Sequence, residues 1–247
     1  MMRPFLLLAA AGLLAACAQQ PLRGTGDLGV VVERATGSLQ IIESSTQSQL
    51  ARVEGLGDLS HASVVFSRDQ RYAYVFGRDG GLSKVDLLRQ RIERRVIQGG
   101  NSIGGAISQD GSLIAVGNYE PGGVKVFDAQ TLELVADIPA TPLADGSRNS
   151  RVVGVIDVPG RRFIYSLFDT DETWLLDFSQ GNRPRITRFE GIGRQPYDAL
   201  LTPEGRYYIA GLFGEDGMAK IDLWHPERGV ERILDGYGRG QQKLPVY

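Results

Sequence analysis

A repeat of about 45 residues constrains this chain more than any other feature it has. Four segments share one grammar: a turn with Asp, Gly or Pro, an aromatic and β-branched run that stops near Gly, a second loop, then a short run ending on Asp. They read SRDQRYAYVFGRDGGLSKVDL, SQDGSLIAVGNYEPGGVKVFDAQTLELV, DVPGRRFIYSLFDTDETWLLDF and TPEGRYYIAGLFGEDGMAKIDL. The closing acids Asp86, Asp128, Asp177 and Asp222 are 42, 49 and 45 residues apart; a fifth copy, GVVVERATGSLQIIE, closes on Glu43, 43 residues before Asp86. Short strands separated by turn chemistry at this period predict an all-β fold, a β-propeller with four-stranded blades, about five of them visible. A helical solenoid would need apolar residues at i, i+3 and i+4 over ten or more positions, whereas YAYVFG, LIAVGN and YYIAGL are short, β-rich and bounded by Gly. A β-sandwich would leave the spacing a coincidence. The one helix-like stretch, STQSQLARVEGLG, offers Ser45 or Thr46 as a cap for a turn or two between blades.

The N-terminus carries a different signal. Arg3 precedes an apolar run from Phe5 to Leu14, and the small residues Ala15 and Ala16 lead into Cys17. The run is shorter than the roughly 20 residues that span a bilayer, so it reads as a secretory signal. Leu14-Ala15-Ala16-Cys17 resembles the bacterial lipobox, whose cysteine is acylated after cleavage. The expected organisation is a signal peptide over 1–16, a lipidated linker over 17–27 and a propeller domain over 28–247. The non-acidic Ala18 places the expected product in the periplasm, anchored by lipid to the outer membrane. Cys17 is the sole cysteine, which excludes a disulfide framework and a Cys-based metal site. Net charge is −2 with both signs interspersed, which gives no support for nucleic-acid binding. The final residues, GYGRGQQKLPVY, supply no partial blade to pair with the first strands, so the propeller is expected to be incomplete at its C-terminus.

HASVVFSRDQRYAYVFGRDGGLSKVDL, from His61 to Leu87, resembles the opening of the haem d1-binding propeller of the cytochrome cd1 nitrite reductase family, and VGNYEPGGVKVFDAQTLEL, RVVGVIDVPGRRFIYSLFDTDETWLLDF and RQPYDALLTPEGRYYIAG resemble its next blades in order. The resemblance covers the chain from about Leu28 to Tyr247, and is nearest to periplasmic relatives that serve haem d1 biosynthesis. It implies a full ring of about eight blades, a haem d1 or precursor tetrapyrrole as ligand, and a late step of haem d1 assembly for nitrite reductase. Other assembly proteins and the reductase itself are the implied partners.

Carried over position by position, the resemblance puts His61 on the family's proximal iron-ligand histidine, imidazole being a usual axial ligand of haem iron. Arg78, in GRDGG, falls on an arginine that pairs with tetrapyrrole carboxylates, which guanidinium can grip bidentately. Tyr119 falls on a pocket tyrosine and Arg151 on the arginine that opens the following blade. Where the reductase has a distal histidine followed by Asp, this chain has Tyr197 followed by Asp198. The proton donor that nitrite reduction requires is therefore missing, and so is any C-x-x-C-H for a c-type haem. Tyr197 and Asp198 are instead expected to act on the macrocycle's substituents or to bind metal or substrate, with Arg194 holding a carboxylate. If the chain is catalytic, the expected chemistry is modification of the macrocycle's periphery or metal insertion. A non-catalytic pigment carrier and a propeller that binds a protein without pigment are the alternatives.

Gly24-x-Gly26-x-x-Gly29 matches the dinucleotide fingerprint in form, but it precedes a strand instead of following one. No nicotinamide cofactor is expected. His225 reads as a surface loop residue beside Pro226, and Trp174 and Trp224 read as packing within blade strands.

Overall fold

The computed structural model describes residues 24 and 26–238. Cys17 and the expected signal peptide lie outside them. Nineteen strands form five antiparallel sheets, each a meander in which sequence neighbours are hydrogen-bonded. The first sheet holds β1 (Leu28–Glu33), β2 (Ser38–Glu43) and β3 (Ser48–Val53). The second holds β4 (Ser63–Phe66), β5 (Tyr72–Phe76), β6 (Gly81–Asp86) and β7 (Arg91–Ile97); the third β8 (Asn101–Ile107), β9 (Leu113–Glu120), β10 (Gly123–Asp128) and β11 (Leu134–Ile138). β12 (Val152–Val158), β13 (Arg162–Leu167), β14 (Glu172–Asp177) and β15 (Arg185–Phe189) form the fourth. The fifth is β16 (Pro196–Leu201), β17 (Tyr207–Leu212), β18 (Met218–Asp222) and β19 (Val230–Ile233).

The repeating acids close the third strand of each four-stranded blade, and Glu43 closes its counterpart β2. Their chemistry explains the recurrence. Asp86 Oδ1 accepts the backbone N–H of Leu88 and Arg89 at 3.0 and 2.9 Å, Asp128 Oδ1 accepts those of Gln130 and Thr131 at 2.9 and 2.8 Å, and Asp222 Oδ1 accepts that of Trp224 at 3.1 Å. These are Asx turns, which satisfy the donors that a tight hairpin leaves open. Glu43, one methylene longer, accepts the Thr46 hydroxyl instead at 2.6 Å.

Both faces of the middle strands are buried, and successive residues serve different neighbours, as strand alternation requires. In β5, Ala73 and Val75 pack with Leu39 and Ile41 of the first blade, whereas Tyr74 and Phe76 pack with Ile114 and Val116 of the third. Phe163 and Tyr165 of β13 pack with Leu113 and Ala115, and Ile164 packs with Tyr208 and Ala210 of the fifth blade. The four apolar clusters are therefore four interblade interfaces, and among the described residues none joins the fifth blade to the first. Together the blades form an arc of a β-propeller.

Two local expectations change. The stretch after Ser45 is β3, not a helical turn, because Leu39↔Val53 and Ile42↔Gln49 pairing outweighs a weak helical pattern. Trp174 is buried and donates to Glu172 Oε2 at 2.7 Å, but Trp224 is 58% exposed, with the Arg206 guanidinium 5.2 Å from its ring centroid. Gly29 lies within β1, so no helix follows the glycine fingerprint. His225 is half-buried before a 3-10 turn at Pro226–Arg228.

Candidate functional site

In a meander, the loops joining second to third strands and fourth strands to the next blade emerge from the same end. His61, Arg78, Tyr119, Arg151, Arg194, Tyr197 and Asp198 all lie in such loops or in the strand ends beside them. The blade topology thus gathers to one face every position expected to bind pigment.

A cavity of about 270 Å³ opens there along the innermost strands β4, β8, β12 and β16, which pack on one another in turn. Its wall takes His61 and Ser63 from the second blade, Ile103 to Gly105 from the third, Val152 to Val155 from the fourth, and Tyr197 with Asp198 from the fifth. Three of these strands lose register at the wall: β8 between Asn101 and Gly104, β12 between Val153 and Ile156, and β16 between Pro196 and Ala199. Such bulges re-aim side chains. The bulge in β16 holds Tyr197 and Asp198 themselves. Gly154 is required at the facing bulge, since its φ is +60° and a Cβ there would sit 2.8 Å from the Tyr197 carbonyl oxygen. Gly105 permits a similar approach, its missing Cβ lying where the Phe76 ring packs. His61 is exposed, in the turn that enters β4. Beside it, the Ser63 hydroxyl oxygen is buried and has no hydrogen-bond partner.

An aromatic and cationic rim adjoins the cavity. Phe168, Tyr197 and Phe213 form a triangle with ring centroids 5.7, 5.9 and 5.7 Å apart, each pair at an inclined or edge-on angle. The Arg151 guanidinium lies 4.6 Å from the Phe168 centroid and 5.6 Å from that of Tyr119. Burial, then a hydrogen bond with Tyr197, pushes the Tyr119 phenol up to about 12. It is therefore a neutral donor at physiological pH.

Arg151 is not free. Its Nε and Nη2 reach the two oxygens of Asp169 at 3.0 and 2.6 Å, its backbone N–H donates to the same carboxylate at 2.9 Å, and Arg148 adds a second bidentate grip at 2.8 and 3.0 Å. Burial pushes the Asp169 carboxyl up, but hydrogen bonds from Arg148 and Arg151 outweigh it and hold the group well below the usual carboxylate range. Arg78 is half-buried, close enough to Tyr119 and Asp58 to act on their charge, and its side chain makes no hydrogen bond or ion pair among the described residues. Arg194 is exposed, with Nε 3.6 Å from Glu215, and does not line the cavity.

Sequence reasoning missed Phe168, Phe213, Arg148 and Asp169. A usable signal was present, because FDTD and FGED occupy the same second-to-third loop register as GRDG. Among the described residues, no group of three or more His, Cys, Asp or Glu side chains is gathered as for a metal ion, and no helix is long and apolar enough to cross a membrane.

Fold and cavity together define a propeller whose ligand-facing end is built from innermost strands and interblade loops. Residues 23–247 match the Cytochrome D1 heme domain family, and the chain belongs to it. It is similar to Protein NirF of Stutzerimonas stutzeri, 94% identical over 247 residues, and to Protein NirF of Pseudomonas aeruginosa, 73% identical over 236. The chain spans 63% and 60% of the lengths of these two relatives, while they match 100% and 95% of it. The dihydro-heme d1 dehydrogenase of Pseudomonas aeruginosa is 33% identical over 85% of this chain and 42% of its own length. Among solved structures, the dihydro-heme d1 dehydrogenase NirN in complex with DHE superposes with a TM-score of 0.74 at 29% identity, covering 87% of this chain and 44% of that one. Hydrazine synthase from Kuenenia stuttgartiensis, at 14% identity and a TM-score of 0.63, covers 80% of this chain and 62% of its own and shares the fold alone.

Proposed function

We propose that this chain binds a haem d1 precursor, dihydro-haem d1 or a related tetrapyrrole, and acts in a late step of haem d1 biosynthesis for nitrite reductase. The observation that carries the reading is a cavity lined by His61, Tyr197 and Asp198, drawn from the second and fifth blades, together with the glycine-rich bulges. Its donor set suits the ligand. Gly104, Gly105 and Gly154 keep the cradle open, the buried Ser63 hydroxyl lacks a partner, and aromatic rings and guanidinium groups stand beside it. Family membership and the NirF and NirN likenesses support the same ligand class.

In this reading the pigment is substrate or cargo, and it supplies the conjugated ring and the iron. His61 presents an imidazole as iron ligand or base, Tyr197 and Asp198 hold or move a proton at the ring's substituents, and Tyr119 donates a hydrogen bond from a neutral phenol. Arg78, whose side chain makes no hydrogen bond or ion pair among the described residues, takes a ligand carboxylate directly. Cys17 tethers the protein by lipid on the periplasmic side of the outer membrane, where nitrite reductase or other assembly proteins receive the product.

The test is a spectral titration of purified protein with haem d1 and dihydro-haem d1. A shifted, saturable absorbance spectrum is expected at micromolar pigment, together with a weaker response in His61→Ala; an unshifted spectrum sinks the reading. Conversion of bound precursor over time assigns an enzyme, and unchanged pigment that transfers to nitrite reductase assigns a carrier.

A further inference from the structure

In three blades the second-to-third loop carries an acid that accepts a backbone N–H from the segment entering that blade: Asp79 from Asp58 at 3.4 Å, Glu215 from Arg194 at 3.0 Å and Asp169 from Arg151 at 2.9 Å. In the second blade Asp79 pairs with Arg95 of its own outermost strand β7, and in the fifth Glu215 pairs with Arg232 of β19. Asp79 and Glu215 thereby link the entering segment to the outermost strand. Asp169, in the corresponding loop of the fourth blade, pairs instead with Arg148 and Arg151, which belong to the segment that enters the blade from the third. Its carboxylate is only 11% exposed, while Arg148 and Arg151 are 44% and 36% exposed. Two guanidinium groups share this one carboxylate at the rim, and Asp145 stands close enough to Arg148 to act on its charge. Phe168, next to Asp169 in the chain, carries Arg151 on its ring and touches Tyr197, which lines the cavity.

We propose that Asp169 is a positioning residue which presents Arg148 and Arg151 as a fixed pair to a carboxylate of the bound ligand. The inference rests on the tetrapyrrole-binding reading above and adds Arg148 and Asp169 to its site. Bidentate geometry explains why two arginines are used, since each retains N–H groups beyond those that Asp169 occupies. A pre-formed pair also spares the ligand the cost of ordering two long side chains. Asp169 is thus a cause of selectivity for carboxylates, with no contact to the ligand required of it.

The sign of one measurement separates positioning from simple charge neutralisation. Asp169→Asn keeps the size of the side chain and an acceptor for the Arg151 backbone N–H, but raises the local charge by one. If Asp169 only neutralised charge, this variant of the full-length protein would bind the free-acid form of haem d1 more tightly. Positioning predicts the reverse: about tenfold weaker binding, the scale of one charge-assisted hydrogen bond. The preference for free acid over the methyl ester should shrink in parallel. Arg148→Ala, at an exposed side chain, should reduce the same preference with the fold intact, and Asp169→Glu should restore part of it. Wild-type protein that binds pigment, with Asp169→Asn equal to it or tighter and Arg148→Ala unchanged in acid-to-ester preference, overturns this proposal alone. Wild-type protein that binds no pigment overturns it together with the reading on which it rests.

Discussion

Replacing Gly154 with Ala tests whether the cavity wall owes its shape to close approach of β12 and β16. The residue has φ +60°, and an added Cβ would lie 2.8 Å from the Tyr197 carbonyl oxygen, 3.6 Å from the Ala199 nitrogen and 3.7 Å from the Asp198 Cα. Two costs follow. Placing a Cβ in the left-handed region costs about 1 kcal/mol, and forcing backbone apart at a packed contact adds about 1–3 kcal/mol, so a total of about 2–4 kcal/mol is expected. Gly146, with φ +68° and nothing within 4 Å of its would-be Cβ, bears the first cost alone. Gly146→Ala should therefore lose only about 1 kcal/mol. Urea unfolding of both variants at equal m-value gives the difference directly. Because the colliding atom is the backbone of Tyr197, pigment affinity should fall in Gly154→Ala and stay unchanged in Gly146→Ala. Equal losses in the two variants, with equal pigment affinity, would refute the close approach and its role in seating Tyr197 and Asp198.

Asp86→Ala removes an almost fully buried acceptor of two backbone N–H groups and of the Arg71 and Arg89 guanidinium groups, at the blade end opposite the cavity. It should cost about 3 kcal/mol in chemical denaturation while pigment affinity is retained. The Tyr165 hydroxyl is buried without a partner, so Tyr165→Phe should raise stability by about 1 kcal/mol; a comparable loss would mean that the hydroxyl is satisfied in solution. Acid unfolding should register Asp169, whose carboxyl sits below its ordinary value of 3.8 because Arg148 and Arg151 outweigh burial. As pH falls, the unfolded chain takes up this proton first, so the contribution is complete above about pH 4 and drains away below it. Asp169→Asn should consequently lose less stability than wild type between about pH 4 and pH 2, and identical acid curves would argue that the ion pairs are absent.

The blade pattern was legible because its signals are local. An acid that caps its own hairpin recurs wherever the hairpin does, and Asp86, Asp128, Asp177 and Asp222 all end third strands as their spacing implied. The alternating runs carried the core as well, since residues on opposite faces of YAYVF feed two different interfaces. What misled was the stretch after Ser45, where the deciding force is pairing with β2. Cross-strand partners leave no mark in a local helical pattern. Trp224 misled for a similar reason: its ring follows a strand whose inward residues are set by the blade, and the side chain lies over Arg206 in solvent.

For the site, residue type was legible and neutralisation was not. His61, Tyr197 and Asp198 line the same cavity because the segments entering the second and fifth blades reach the same end of the propeller. Arg78 and Arg151 looked alike in sequence, each an arginine beside a strand end. They differ in whom they face: among the described residues the Arg78 side chain makes no hydrogen bond or ion pair, while Arg151 is held by a carboxylate 18 residues further on, with Arg148 on its other side. That pairing depends on how the loop entering β12 lies against the loop after β13, a tertiary fact that spacing does not encode. The distinction has chemical weight, because a guanidinium that no carboxylate hydrogen-bonds takes a ligand carboxylate more readily than one that must share its donors. Arg78→Ala should therefore weaken binding of the free acid more than Arg151→Ala does, while Arg151→Ala should disturb the Phe168 and Tyr197 rings and alter the bound pigment's spectrum. If the two variants lose affinity equally with unaltered spectra, the division of roles between free and positioned arginine is wrong.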